Sequence, residues 1–165
     1  MKRFVLLGLL IGGLVFSLSG CSLFNQGPEI QNWQPSVAPN SDEIVFSSKE
    51  GDDFELFLLD PNSGDKTRIT DNKHDDWGPD WGPDGERLTF VSKRDDNTDI
   101  YVVDTDGGNE TRLTTNKSQD VNPRWISDSE VIFNSDRTGA WEIFTVNLSG
   151  DELNQLTSSS EENEG

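Results

Sequence analysis

One cysteine and one histidine in 165 residues exclude much protein chemistry before any motif is read. A lone cysteine makes no intrachain disulfide framework and no multi-cysteine zinc site, and a lone histidine leaves no second imidazole for a metal cluster. Basic residues are scarce as well. Thirteen Lys and Arg stand against 31 Asp and Glu, a formal charge of −18. That balance argues against a nucleic-acid partner, because a phosphate backbone is held by clustered basic side chains. Neither a Gly-x-Ser-x-Gly elbow nor a His-Glu-x-x-His motif occurs, so the sequence predicts no enzyme and no cofactor. Apolar residues are only 32% of the chain, too few for one large core. Five Trp, nine Phe and regularly spaced turn residues nevertheless set it apart from a disordered polyelectrolyte. The core they build must be small or repetitive.

The one long apolar run is at the start. Lys2 and Arg3 precede Phe4 to Phe16, after which comes Leu18-Ser19-Gly20-Cys21. The run is too short to span a bilayer comfortably and reads as a secretory signal. The small residues directly before the only cysteine resemble the bacterial lipobox. That resemblance implies cleavage ahead of Cys21, a diacylglyceryl group on its thiol and attachment to a membrane. Signal peptide 1–20, lipid-anchored tether 21–32, repeat region 33–157 and acidic tail 158–165 are the expected divisions. The expected address is the bacterial cell envelope. Ser22, rather than Asp, follows the cysteine, which by resemblance to Gram-negative sorting means the outer membrane; in a Gram-positive cell it means the outer face of the plasma membrane.

Between tether and tail the chain repeats. Pro35, Pro79 and Pro123 are 44 residues apart at each step. Phe46, Phe90 and Phe133 follow at 44 and 43, as do Phe57, Tyr101 and Phe144, and Thr70, Thr114 and Thr157. The lost residue places a single deletion in the third unit, between Ser129 and Phe133. The units are 33–76, 77–120 and 121–157. In the second, the strand-like runs are Pro79 to Trp81, Leu88 to Ser92, Ile100 to Asp104 and Thr111 to Thr114, separated by Pro-Asp-Gly, Asp-Asp-Asn and Asp-Gly-Gly. Four short strands at a 44-residue period mean propeller blades rather than a helical solenoid.

The repeat also has a family look. Asp76, Pro79, Trp81, Pro83, Asp84, Gly85, then Phe90, Ser92 and Arg94, then Asp99, Ile100, Tyr101 and Asp104, then Arg112, Leu113 and Thr114 compose a pattern that resembles the WD-like β-propeller repeat of the TolB-like family and of prolyl-oligopeptidase relatives. The third unit has Ser127 and Ser129 where the pattern has Pro and Gly, and the first has Val37 for Trp and Glu50 for Arg. The resemblance implies an all-β fold of three four-stranded blades, half of a six-bladed propeller. It also implies a non-catalytic module that binds or scaffolds another envelope protein. Two alternatives are a surface receptor for a glycan or small ligand, and an accessory, substrate-gating propeller for a peptidase.

The large apolar residues of the repeat are read as packing. Trp81, Trp125, Phe46, Phe90, Phe133, Phe57, Tyr101 and Phe144 fill the gap of about 10 Å between stacked sheets. Trp77 and Trp141, which border loops, are the candidate ligand contacts at the propeller mouth. Ser92, Arg94, Asp99 and Asp104 read as internal hydrogen-bonding groups, and His74 as a solvated loop residue. Asp95, Asn97 and Asp99 imitate the start of a calcium loop but lack its glycine and terminal Glu, so no metal is expected. Acidic residues fall on loops of both faces, which makes the charge a solvating coat rather than a bait for one partner. An open fan of three blades predicts a homodimer, or a hetero-partner, that completes the ring. The faces expected to be uncovered carry Val37 and Phe46 at one end and Trp125 and Phe133 at the other.

Overall fold

The computed structural model describes residues 31–159. The signal segment, Cys21 and most of the tether, together with residues 160–165, lie outside the described residues. Three four-stranded antiparallel sheets follow one another along the chain, each with its strands in sequence order. Blade 1 comprises β1 (Gln31–Val37), β2 (Ile44–Lys49), β3 (Phe54–Leu59) and β4 (Lys66–Arg68). Blade 2 comprises β5 (Asp75–Trp81), β6 (Arg87–Arg94), β7 (Asn97–Asp104) and β8 (Thr111–Arg112). Blade 3 comprises β9 (Asp120–Ser127), β10 (Glu130–Ser135), β11 (Glu142–Asn147) and β12 (Leu153–Gln155). No helix occurs among the described residues. The deletion in the third repeat falls in the first hairpin: β9 and β10 close on Asp128 and Ser129, whereas the longer segment Gly82 to Glu86 joins β5 to β6.

The middle strands carry the packing. Phe46 lies opposite Phe57, Phe90 opposite Tyr101 and Phe133 opposite Phe144, with ring centroids 6.0, 5.6 and 6.0 Å apart. Cross-strand aromatic pairs of this kind stabilise a sheet beyond the area they bury. In blades 2 and 3 the pair points at the preceding blade. Phe90 and Tyr101 join Trp81, Leu88 and Val103 against Val45, Leu56 and Ile69 of blade 1. Phe133 and Phe144 join Val131 and Val146 against Val91, Ile100 and Val102 of blade 2, with Trp125 packed beside them. Blade 2 is therefore apolar on both faces, which is why β6 and β7 read as nearly continuous hydrophobic runs.

This polarity corrects one expectation. Trp125 and Phe133 are not on the open face of blade 3, because side chains alternate across a strand and these two point back at blade 2. The outward face of blade 3 instead carries Ile126 (50% exposed), Trp141 (55%) and Leu156 (55%). At the other end Val37, in the register of Trp81, is 63% exposed. Phe46 and Phe57 lie on the outer face of blade 1 and are largely covered by their own sheet, with Lys66 Nζ 4.4 Å from the Phe57 centroid.

Each first strand contains a bulge. The register shifts between Trp33 and Ser36 in β1, between Trp77 and Asp80 in β5, and between Val121 and Arg124 in β9. One residue in each is left-handed, namely Gln34 (φ 53°), Gly78 (65°) and Asn122 (55°), and the proline of the repeat follows it. Without the bulge Trp77 and Trp81 would share a face. With it, Trp81 enters the core against blade 1 while Trp77 packs toward blade 3. Glycine is required at the third hairpins. A Cβ on Gly107 would stand 2.7 Å from the Ile69 carbonyl of blade 1, and one on Gly150 2.7 Å from the Leu113 carbonyl of blade 2.

Buried acids tie the strands together. Asp99 receives Arg112 Nη2 at 2.7 Å and Thr114 Oγ1 at 3.2 Å, and Thr114 Oγ1 also accepts the Ile100 N–H. Glu55 accepts Arg68 Nη2 at 2.9 Å, Thr70 Oγ1 accepts the Leu56 N–H, and Glu142 accepts the Thr157 hydroxyl, which itself accepts the Ile143 N–H. On the first strands Asp120 has Arg137 Nη2 at 3.0 and 3.1 Å. Asp76, equally buried, has no such ion pair. It accepts Ser92 Oγ at 2.5 Å and Asn72 Nδ2 at 2.7 Å, and burial pushes its carboxyl up to about 6.

Two expectations follow for stability. Phe90→Ala should cost about 3–5 kcal/mol in urea unfolding, whereas Trp141→Ala should stay within about 0.5 kcal/mol, because only the first leaves a cavity. Asp76 holds its proton more tightly folded than unfolded, so its contribution is present below its unfolded pKa of 3.8 and is lost as pH rises through about 6. The unfolding free energy of the wild type relative to Asp76→Asn should therefore fall, by up to about 3 kcal/mol, between about pH 4 and pH 7. Parallel urea titrations at the two pH values check it.

Candidate functional site

Ser36, Asp80 and Arg124 occupy one register of the three inner strands, directly after the bulge and the proline. Asp80 touches all three blades. Its Oδ1 lies 3.4 Å from Ser36 Oγ and 3.5 Å from Arg124 Nη1, and its Oδ2 accepts the Trp125 N–H at 3.0 Å. Burial raises this carboxyl above its ordinary range, against the lowering effect of the Trp125 N–H, Arg124 and Ser36. All its near partners donate, so it acts as a structural tie. Trp81 makes the matching bond from its ring, Nε1 to the Ser36 carbonyl at 3.1 Å. Trp125 Nε1 is buried without a partner, and its ring instead takes the Arg87 guanidinium at 5.0 Å.

An aromatic cleft of about 290 Å³ opens at the seam of blades 1 and 2, lined by Trp33, Gln34, Phe54, Asp75 and Trp77. The Trp33 and Phe54 rings are 4.9 Å apart and tilted by 35°. Asp75 Oδ1 accepts the Phe54 N–H at 3.0 Å and so fixes one wall. The seam of blades 2 and 3 differs. There Thr98 stands in the register of Phe54, and its Oγ1 bonds Gln119 Oε1 at 2.8 Å. An apolar floor with a carboxylate and an amide at the rim suits the flat face of a sugar ring or an apolar side chain.

The two tryptophans singled out as ligand contacts line separate hollows. Trp77 is half-buried in the cleft, with Trp33 and Phe54, which sequence reasoning did not select. Trp141 lines a hollow of about 330 Å³ with Val121, Asn122 and Asn134 on the outward face of blade 3. It sits in the register of Phe54 and Thr98, where a blade meets its successor. Trp33 and Phe54 were within reach of the repeat arithmetic, since their registers hold Trp77 and Val121, and Thr98 and Trp141, in the other units.

The remaining polar candidates have local duties. The His74 N–H donates to Asn72 Oδ1 at 2.7 Å, closing the loop into β5. Asp95 and Asp96, at φ 52° and 62°, form the two-residue turn between the paired Arg94 and Asn97. Asn97 Nδ2 bonds Asp99 Oδ2 at 2.8 Å, so the acid of this segment is held by donors on both oxygens.

Residues 25–165 match the family model described as the TolB beta propeller domain. None of the curated proteins matches the chain. Among solved structures, TolB from Acinetobacter baumannii is 26% identical with a TM-score of 0.70, and the match covers 78% of this chain and 33% of that one. A putative TolB from Agrobacterium tumefaciens is 23% identical with the same TM-score, covering 77% of this chain and 49% of its own. A puromycin-hydrolyzing peptidase of Mycobacterium tuberculosis shares the fold at 20% identity and a TM-score of 0.66, with 79% of this chain and 22% of that one covered. The chain thus spans about a third to a half of the TolB structures it matches. With its three blades in sequence order and its residues matched over almost their whole length, the chain belongs to the TolB beta-propeller domain family.

Proposed function

We propose that this protein is a non-catalytic, lipid-anchored module of the bacterial cell envelope that binds another protein through the end faces of its blades. The observation that carries the reading is the pair of uncovered faces. Val37 marks one, and Ile126, Trp141 and Leu156 mark the other. Exposed apolar area of this kind is where partners dock. In every interior seam of the molecule such a face meets the next blade, so the natural occupant is another blade. A second copy related by a two-fold axis supplies both at once, the first blade of each against the third of the other, for six blades in all. A hetero-partner with blades of its own is the other source.

The formal charge of −18 per chain opposes self-association at low salt. Screening shortens that repulsion to about 10 Å at 0.1 M, so association should strengthen as salt rises. Light scattering on the Cys21→Ser chain should show the mass doubling with protein and salt concentration. Trp141→Glu should abolish the doubling without unfolding the protein. A monomer at every condition, with no envelope protein captured by the lipidated chain, overturns the reading.

Anchoring has its own test. Cys21→Ser should move the protein from the membrane fraction to the soluble one, because stable anchoring needs the two or three acyl chains that this residue would carry. A variant still processed and equally membrane-bound overturns the lipoprotein assignment. The aromatic cleft favours a second reading, a glycan receptor. A soluble polysaccharide that quenches Trp fluorescence in the wild type and not in Trp33→Ala would support it over protein binding.

A further inference from the structure

In blades 2 and 3 the second strand leads into Ser-x-Arg, with Arg94 closing β6 and Arg137 two residues past the end of β10, and in both the arginine folds back into its own blade. Arg94 Nε donates to Ser92 Oγ at 3.0 Å while its guanidinium lies 4.2 Å from the Tyr101 centroid. Arg137 Nε donates to Ser135 Oγ at 2.8 Å over Phe144 at 4.6 Å. Blade 1 has Ser48 and an aromatic Phe57 in the same registers, but Glu50 replaces the arginine. The swap is only half compensated. Lys66, in the register of Glu110, pairs with Glu50 above the Phe57 ring, reversing the Arg94–Glu110 ion pair of blade 2.

What the lysine does not restore is the inward hydrogen bonding. Ser48 Oγ is wholly buried and has no partner among the described residues. Glu55, 2% exposed, accepts Arg68 Nη2 at 2.9 Å and the Asn72 N–H at 2.7 Å on Oε1, and its Oε2 has no partner among the described residues. Both line a cavity of about 130 Å³ on the outer face of blade 1, well above the roughly 15 Å³ that admits one water. Glu50, Asp52, Asp53, Phe57 and Arg68 line it too, so with Glu55 four carboxylates share the one guanidinium of Arg68, while Lys66 already covers the Phe57 ring. Two buried acceptors and a surplus of carboxylates are what a guanidinium satisfies, through charge-assisted hydrogen bonds from its planar fork. A metal ion has no comparable claim, since no three His, Cys, Asp or Glu side chains among the described residues are placed to hold one together.

We infer that the outer face of blade 1 carries a pocket for one guanidinium group, supplied by an arginine of the partner that docks there. The inference rests on the proposed docking for the source of the arginine and on this chain's own residues for the pocket. Blades 2 and 3 fill the position from within, and blade 1 leaves it to be filled from outside.

The test is a titration of isotope-labelled Cys21→Ser protein with N-acetyl-arginine-methylamide, followed by amide chemical shifts. Saturable shifts at Ser48, Glu50, Glu55 and Phe57, with a dissociation constant on the order of millimolar, are expected. The blocked lysine analogue should bind at least about fivefold more weakly, because a compact ammonium lacks the planar fork that spans both acceptors. The double variant Glu50→Arg with Lys66→Glu rebuilds the blade 2 arrangement inside blade 1. It should keep the spectrum of a folded protein and weaken arginine binding at least about tenfold. Absence of shifts, equal binding of lysine, or undiminished binding in the double variant overturns the pocket. Arginine binding by a chain that stays monomeric and captures no partner upholds the guanidinium pocket, assigns it a free ligand and sinks only the docking. Association without arginine binding does the reverse.

Discussion

A four-stranded sheet that is apolar on both faces cannot stand alone in water, and the architecture of this protein is the working out of that constraint. Blade 2 meets it in full: Phe90, Tyr101 and Trp81 are buried against blade 1, while Val91, Ile100 and Val102 are buried against blade 3. Burial of apolar area at about 25 cal/mol per Å² is the main favourable term available to a chain with so few apolar residues. A repeating sheet uses them economically, because each seam needs only one layer from either side. The same constraint leaves the outermost faces of blades 1 and 3 without a neighbouring blade, and the proposed binding role rests on it.

The bulge is the second determinant. By displacing the side-chain phase of each first strand, it lets one strand serve two seams and turns Ser36, Asp80 and Arg124 into a common register of the inner strands. Asp80 can then join three blades through one carboxylate. The proline after each left-handed residue fits this arrangement, since a residue without an N–H is tolerated at a bulge where a central ladder would miss the bond.

The period of 44 and then 43 residues was enough to read three four-stranded blades, because repeats make a sequence its own alignment. Direction was harder. Which neighbour a side chain points at depends on strand phase, and the bulge resets that phase between Trp77 and Trp81, so Trp125 and Phe133 could not be aimed from spacing alone. The early start of β5 at Asp75 was hidden by Asp75, Asp76 and Gly78, residues of low strand propensity that are held there by buried hydrogen bonds. The acids Glu55, Asp99 and Glu142 share a register that was visible, although only Asp99 drew notice. Glu50 was legible as a departure from the repeat. Its meaning was not, because the orphaned Ser48 and Glu55 oxygens exist only once three strands are brought together.

The ladders shorten from the inside outward. First and second strands run six to eight residues, whereas β4, β8 and β12 have three, two and three and are exposed throughout. The molecule is accordingly a firm hub with a frayed rim. Local opening begins where few ladder bonds and little apolar area hold the backbone, so the outer strands exchange their amide protons and meet proteases first while the Asp80 hub persists. Proteolysis would thus wear this protein from its circumference, leaving the packed seams between blades as the last part to yield.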